Sequence, residues 1–339
     1  MLSRHFALYR DNSSLVLKPA TRSIPALLPA QILINVKAAS LNYRDLLNMG
    51  DVDGTREGLI PLSDAAGVVA ETGSAVTRWK IGDRVSPNFF PKWIGGAFLP
   101  SHLSIALGGG QTDGVLSDYV VVDQAAAVAI PDYLSFVEAA TLPCAAVTAW
   151  HALFERGNLR AGETVLVQGT GGVALFGLQL AVAHGARVIV TSSSDAKLGH
   201  ARTLGAWRTI NYKDQPNWDH AAMALTDDQG VDHILELGGP ETYDRSIAAI
   251  AYGGQIAQIG VLSGFGCQPN LTPLQFKNAS INGICVGSVE HFERLNGFMA
   301  RHEIHPVIDQ VFAFDKAADA YERLRSASHS GKIAITFEQ

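Results

Sequence analysis

The chain has 339 residues, of which 47% are hydrophobic and 17% are charged, with a formal net charge of −6. That length exceeds what one hydrophobic core serves, so two domains are expected. An acidic balance excludes a protein whose main partner is a nucleic acid, since such proteins carry a basic excess.

In chain order, residues 1–10 mix charge with aromatics and hold no apolar stretch before a small-residue cleavage site, so no secretory leader is expected. Apolar runs at 15–18, 32–38 and 68–71 read as strands, and the turn Lys80-Ile81-Gly82-Asp83-Arg84-Val85 leads into another. Residues 87–114 are rich in Gly, Pro and aromatics without periodicity, which reads as a long loop of the functional or mobile kind. From about residue 131 the rhythm changes. A helical stretch at 135–151 is followed by a strand at 164–168, a helix at 172–184, a strand at 187–191 and a helix at 197–204. A strand at 231–237, a helix at 243–250 and a strand at 255–260 continue the alternation, which indicates βαβ units and a parallel sheet. The tail holds a short segment with a proline at 302–311, a helix at 315–326 and a strand at 332–337. That last strand can rejoin the first domain's sheet, which makes the nucleotide domain an insertion. The expected boundaries are 1–130 with 296–339 for one domain and 131–295 for the other.

No run of about eighteen apolar residues is present, so no membrane-spanning helix is expected. Cys144, Cys267 and Cys285 are odd in number and widely spaced. They offer neither a disulfide framework nor CxxC metal spacing, which fits a reducing cytoplasm.

The strongest local signal is Gln168-Gly169-Thr170-Gly171-Gly172-Val173-Ala174, a G-x-G-x-x-A pattern between a buried strand and a helix. Gly169 suits the tight turn, and Gly171 lets the backbone approach a pyrophosphate. Gly172 and Val173 open the helix whose N-terminus faces the phosphates, and Ala174 lets helix and strand pack closely. The next strand selects the dinucleotide. An NAD site places an acid at its end to accept from the ribose 2′-OH, whereas here the strand ends in Ser192-Ser193-Ser194, with Lys197 a turn further. Hydroxyls and an ammonium suit a 2′-phosphate, so NADP(H) is favoured, although the serines also suit N-capping and Lys197 a solvated helix face. Asp195 lies beyond the strand end and reads as a first-turn acid that offsets the helix dipole.

Asn42-Tyr43-Arg44-Asp45, Asp64-Ala65-Ala66-Gly67-Val68-Val69, Gly82-Asp83-Arg84-Val85, Leu142-Pro143-Cys144-Ala145-Ala146-Val147-Thr148-Ala149-Trp150, the phosphate loop and Ile210-Asn211-Tyr212 follow one another across nearly the whole chain. In this order they resemble the medium-chain dehydrogenase/reductase superfamily, and within it the zinc-independent NADPH:quinone oxidoreductases and zinc-type alcohol dehydrogenase-like proteins. The resemblance implies an α/β fold, with a doubly wound Rossmann sheet inserted into a GroES-like, mostly β catalytic domain and the cofactor in the cleft between them. It assigns Lys197 and Tyr212 to the 2′-phosphate, and Thr148, Gly260-Val261 and Val286-Gly287-Ser288 to the nicotinamide end. Those glycines suit strand-end turns equally well.

In the alcohol dehydrogenases of this superfamily a Cys opens the motif that reads Asn42-Tyr43-Arg44-Asp45 here, and a His stands where the local sequence is Ser63-Asp64-Ala65. Cys144 matches a third ligand position by itself, and one thiolate does not hold a tetrahedral zinc. Residues 87–114 contain no Cys, so the structural-zinc loop is also missing, and a lone His102 does not replace it. No metal is expected. Without a Lewis acid, alcohol oxidation loses its usual alkoxide stabiliser, whereas a quinone or enone delocalises its own developing charge. The protein then has to place the acceptor and donate hydrogen bonds to its oxygen. Asn42 and Tyr43 are candidates for this, Tyr43 also for passing a proton, and Asp45 for ordering the loop through Arg44. The expected activity is NADPH-dependent reduction of a small electron-poor acceptor. A zinc-free reductase or dehydrogenase of another carbonyl or alcohol, and an NADPH-binding sensor with little turnover, stay open. The apolar segment 281–288 ends the Rossmann sheet as an exposed edge; such edges are covered or paired, so a C2 homodimer partly through it is expected.

Overall fold

The computed structural model describes residues 2–266 and 268–337, so Cys267 lies outside the described residues. The chain divides into two units, residues 1–147 with 287–339, and residues 148–286.

In the first unit β1 (Leu2–Asp11) and β2 (Ser14–Ser23) form an antiparallel hairpin. Asn12 turns the chain at φ 54°, a left-handed conformation that asparagine tolerates. Then come β3 (Gln31–Ser40), β4 (Asp64–Thr72), β5 (Arg84–Pro87), β6 (Tyr119–Asp123) and β7 (Ala127–Ala129). β3 pairs antiparallel with both β4 and β6. Ile32, Ile34 and Val36 of β3 pack with Val69, Val120 and Tyr321 in this unit's core. Between β5 and β6 the chain forms one short helix, Pro100–Leu103. The long loop is nevertheless anchored, since Phe89, Phe90 and Trp93 are buried. His102 stacks on Trp93 with centroids 5.9 Å apart and accepts the Leu99 N–H on Nδ1 at 3.0 Å.

The helical stretch expected at 135–151 is broken. Helix Phe136–Ala139 is followed by a wide, π-type turn at Leu142–Ala146, a short helix Val147–Trp150 and a second π-type segment, His151–Arg156. Pro143 has no N–H to give to the ladder, and a proline inside a helix disrupts it.

The second unit holds β8 (Thr164–Gln168), β9 (Arg187–Ser192), β10 (Arg208–Asn211), β11 (Val231–Glu236), β12 (Ile250–Gln258) and β13 (Ser280–Gly283). They form one six-stranded sheet in the order β10-β9-β8-β11-β12-β13, and every pair is parallel. This is the doubly wound dinucleotide-binding order, which reverses direction at its first strand, here β8. Leu166, Ile189, Ile234 and Ile256 from four adjacent strands fill its core. β10 and the helices Trp218–Leu225 and Thr272–Lys277 went unpredicted, being short and weakly periodic. β13 stops at Gly283, so the expected edge strand is shorter than 281–288.

The tail supplies β14 (Ile308–Ala313) and β15 (Lys332–Thr336). β15 pairs antiparallel with β3, Ala334 opposite Ser40, so the C-terminal strand closes the first unit's sheet. The units part at 147/148 and 286/287, not at the expected 130/131 and 295/296. Helix Val289–His302 bridges the expected second boundary, and its hydrogen bonds explain the shift. Val289 N donates to Trp93 O at 2.9 Å, and Asn296 Nδ2 to Ala129 O at 2.9 Å. Tyr133 Oη, with one proton to give, lies 3.1 Å from Met299 O and 2.8 Å from Ile304 O. Among the described residues no helix is long and apolar enough to cross a membrane.

Candidate cofactor and active site

In the second unit, Gly169 sits at φ 78°, a backbone conformation open to glycine at little cost. Its N–H donates to Thr191 O at 2.7 Å, which ties the loop after β8 to the end of β9. Gly171 caps helix Gly172–Ala183 with no side-chain hydrogen bond, and a Cβ there would meet nothing within 4 Å. The N–H groups at the start of a helix have no partners inside it, and here the missing side chain leaves them approachable. Ala174 is fully buried. A turn later the helix again lies close to the sheet, since a Cβ on Gly177 would come within 2.3 Å of Leu235 Cδ1. Gly177, which the phosphate-loop pattern does not single out, adds to the close packing expected at Ala174.

The ends of β8 and β11 are joined by a buried polar network that the sequence reading also missed. Glu236 is fully buried. Its Oε1 accepts from Gly238 N and Gly239 N at 3.0 Å and from Thr242 Oγ1 at 2.5 Å. Its Oε2 accepts from Gln168 Nε2 at 2.7 Å and from Ser246 Oγ. Gln168 Oε1 in turn accepts from Leu237 N and Gly238 N at 2.9 Å. The Glu236 carbonyl receives Ile259 N and Gly260 N at 3.0 Å. Gly260 admits no side chain, since a Cβ would lie 2.0 Å from Leu237 O. The available signal was an acid ending β11 directly after the apolar pair Ile234-Leu235.

At the other side of the sheet, β10 lies beside β9 with Asn211 opposite Ser192, and Tyr212 N donates to Ser192 O at 3.1 Å. Ser192 and Tyr212 are thereby neighbours at one strand end. Ser194 is the N-cap of helix Asp195–Thr203 and accepts from Lys197 N. Asp195 is in the first turn, where its carboxylate accepts from Asn211 Nδ2 at 2.9 Å.

Thr148 is buried. Val286, a β-branched residue, stands at φ 47°, and its carbonyl lies 2.7 Å from His151 Nδ1. Burial lowers the His151 pKa, so the neutral ring is favoured. In the first unit, Gly287 O accepts from Asn88 Nδ2 at 3.3 Å. Ser288 is fully buried and caps helix Val289–His302, its Oγ accepting from His291 N at 3.2 Å. The cap uses one lone pair of the oxygen and leaves the O–H able to donate.

The first unit also carries Asn42, Tyr43 and Asp45 at the start of helix Tyr43–Gly50. Asp45 Oδ2 accepts the Asn42 N–H at 2.7 Å, and Asn42 O accepts Asp45 N at 3.0 Å. Burial is the main cause that pushes the Asp45 carboxyl up to about 6. Arg44 does not mediate this contact. Its Nη1 donates to Leu107 O at 2.7 Å and its guanidinium lies 4.3 Å from the Phe89 ring centre. Asp45 thus orders the helix start through Asn42, and Arg44 pins the long loop. Tyr43 is 39% exposed.

Beside Asn42 stands an ion pair that no expectation covered. Lys332 Nζ donates to Leu41 O at 2.6 Å and to Asn42 Oδ1 at 2.5 Å, and it lies 3.6 Å from Asp64 Oδ2. Both charged residues are buried, Lys332 to 3% exposure and Asp64 to 0%. Asp64 Oδ1 accepts from Ser63 Oγ at 2.7 Å, and Oδ2 from Cys144 N at 3.3 Å. The signal was a charged residue opening the otherwise apolar stretch Lys332-Ile333-Ala334-Ile335.

Residues 28–132 match the family described as alcohol dehydrogenase GroES-like domain, and residues 172–301 the one described as zinc-binding dehydrogenase. A zinc-type alcohol dehydrogenase-like protein of Schizosaccharomyces pombe is 43% identical, covering 95% of both chains. The chain is a medium-chain dehydrogenase/reductase. A crystal structure from Sinorhizobium meliloti 1021 named as an alcohol dehydrogenase superposes with a TM-score of 0.93 at 42% identity, covering 99% of each chain. A quinone oxidoreductase of Mus musculus is 28% identical over 90% of this chain and 88% of its own. The family is one of oxidoreductases, and its description as zinc-binding calls for a test of the residues present. Asn42 and Ser63 supply no thiolate or imidazole, and the carboxylate of Asp64 is engaged by Lys332, Ser63 and Cys144 N. Burial pushes the Cys144 thiol up, away from the thiolate that binds metal. Among the described residues no group of three or more His, Cys, Asp or Glu is arranged to hold a metal ion. These residues do not fit a catalytic zinc in this medium-chain dehydrogenase/reductase.

Proposed function

We propose that the protein is a zinc-independent, NADPH-dependent reductase of quinones or activated C=C bonds. The observation that carries this reading is the buried Lys332–Asp64 pair set among Asn42, Ser63 and Cys144, the positions that match zinc ligands in the alcohol dehydrogenases. A site whose one buried cation is balanced by a carboxylate, beside the uncharged Asn42 and Ser63, suits an acceptor that delocalises its own charge. NADPH, when bound, supplies the hydride. The residues' part is to bind, orient and donate hydrogen bonds. Gly169, Gly171, Gly172 and Val173 offer backbone to the pyrophosphate. Ser192, Ser193, Lys197 and Tyr212 take the 2′-phosphate. Thr148, Gly260, Val261, Val286, Gly287 and Ser288 shape the nicotinamide end, Ser288 while also capping its helix. Asn42 and Tyr43 orient the acceptor, with Asp45 holding the turn they stand on. The similarity to a quinone oxidoreductase supports the acceptor class.

The test is NADPH oxidation with a panel of quinones, enones and simple ketones, before and after chelation. Turnover is expected on quinones or enones, unchanged by chelator, from protein holding less than about a tenth of a zinc per chain. Activity confined to simple ketones, or lost with a tightly held zinc, sinks the proposal.

The protein is also proposed to act as a C2 homodimer in the cytoplasm, joined partly through β13. This strand pairs only with β12 among the described residues, and the preceding helix exposes Phe276 at 75%. An edge with free N–H and C=O groups beside exposed apolar surface favours pairing. Light scattering at micromolar concentration should give the mass of two chains, and a monomer refutes it.

A further inference from the structure

Asn42 reaches the acceptor in the proposed reduction, and an amide serves as a hydrogen-bond donor only if its nitrogen end points the right way. The two ends of an Asn amide have nearly the same outline, so the hydrogen-bond partners decide the orientation. An ammonium donates and never accepts. With Lys332 Nζ at 2.5 Å, the end facing it is the oxygen. Asn42 Nδ2, at the other end, is buried and has no hydrogen-bond partner among the described residues. Such an unmet donor is costly, and an acceptor oxygen brought beside it would meet that need.

The fold sets this contact up. Leu41 N donates to Ile333 O at 3.0 Å, continuing the β3–β15 pairing in which Ala334 faces Ser40. One step further along the same register places Lys332 beside Asn42. The ammonium is held in turn by Leu41 O and Asp64, and Asp64 by Ser63 and Cys144 N. A cation on the amide oxygen also polarises the amide and strengthens its N–H as a donor.

We propose that Lys332 is a positioning residue, which holds the Asn42 amide oxygen and so leaves Nδ2–H for the acceptor's carbonyl oxygen. This rests on the reading of the protein as a quinone or enone reductase. The rival role for Lys332 is to neutralise Asp64 and nothing more, and the two roles differ in whether the effect of Lys332 passes through Asn42.

The experiment is a double-mutant cycle on the full chain, with NADPH and the best acceptor of the panel, reading kcat, KM and NADPH affinity. Asn42→Asp keeps an acceptor for Lys332 but has no N–H, and it should lose about 100-fold in kcat, the order seen when one oxyanion donor is removed, with NADPH affinity unchanged. Lys332→Met should lower kcat at least tenfold in the wild-type background and have no further effect in Asn42→Ala. Where Lys332→Met alone fails to fold, Lys332→Met with Asp64→Asn removes both charges and carries the same comparison. Equal losses in the two backgrounds overturn the proposal, as does Asn42→Asp with wild-type kcat while the wild type turns over. A wild type that reduces nothing in the panel overturns the functional reading along with it.

Discussion

Lys197→Ala is expected to weaken NADPH binding about 10- to 100-fold and to leave NADH nearly untouched. A 2′-phosphate brings roughly two negative charges near neutral pH, and each charge-assisted hydrogen bond to it is worth about 1.5–3 kcal/mol. At about 1.4 kcal/mol per decade, losing one gives the stated range. The geometry narrows which groups are available. Ser194 is committed to its helix cap and Asp195 to Asn211, whereas Ser192 ends β9 and Tyr212 follows β10 next to it. No acid closes β9, since Asp195 sits in the helix beyond. Ser192→Asp should do the converse, repelling the phosphate and offering a ribose hydroxyl an acceptor. Because Ser192 is buried, a thermal melt accompanies that variant to separate affinity from folding. Raised salt should erode NADPH binding more than NADH binding. Fluorescence titration of both cofactors against wild type and the two variants decides it. Equal wild-type affinities, or a Lys197→Ala variant that loses both cofactors alike, would move the phosphate site elsewhere.

The parallel sheet was legible in the sequence because its strands are short apolar runs closed by glycine or serine, a signal local to each strand. β8 and helix Gly172–Ala183 appear nearly where the pattern predicts them. β1 was not legible, because its burial depends on a hairpin with β2 and on a bridge from Leu8 to Leu59, neither of which alternation in one strand reveals. The two units part elsewhere than the sequence pattern suggests for a similar reason. Where helix Val289–His302 packs is decided by hydrogen bonds to residues 93 and 129, far away in sequence. At the site, single motifs exposed Asn42 and Gly169. Lys332 escaped because its partners, Leu41, Asn42 and Asp64, lie about 270–290 positions away and only strand pairing brings them together. Glu236 escaped because a buried acid reads as a strand-end acid until its donors are seen.

Glu236→Gln, one atom's change, is expected to lower the melting temperature by about 5–15 °C. Two effects oppose each other. A neutral amide avoids the desolvation cost of a buried charge, and exchanging buried charges for neutral groups is sometimes neutral or stabilising. Against this, the carboxylate accepts from Gly238 N, Gly239 N, Thr242 Oγ1, Gln168 Nε2 and Ser246 Oγ. Hydrogen bonds to a charged group contribute about 1.5–3 kcal/mol each, and a buried donor left unmet costs about 1–3 kcal/mol. If the new NH2 takes the Oε1 place, it faces two backbone N–H groups that cannot turn away. If it takes the Oε2 place, Ser246 can rotate to accept, but Gln168 cannot flip without losing Leu237 N and Gly238 N from its own oxygen. The better arrangement therefore still strands one donor and weakens several bonds, a loss of about 2–4 kcal/mol. For a unit of this size each kcal/mol moves the melting temperature by about 2–4 °C. Glu236→Ala, which strands the whole set, should fall further or fail to fold. The comparison variant is Glu163→Gln, whose carboxylate is 29% exposed and pairs with His233 at 2.9 Å; it should shift the melt by less than about 3 °C, because water replaces the lost partner. Since Glu236 also fixes the turn at Gly238–Gly239 and the approach of Gly260, folded Glu236→Gln should bind NADPH more weakly as well. Calorimetry of the three variants with and without NADPH tests both claims. A Glu236→Gln melt no lower than that of Glu163→Gln would show that the network adds nothing to stability.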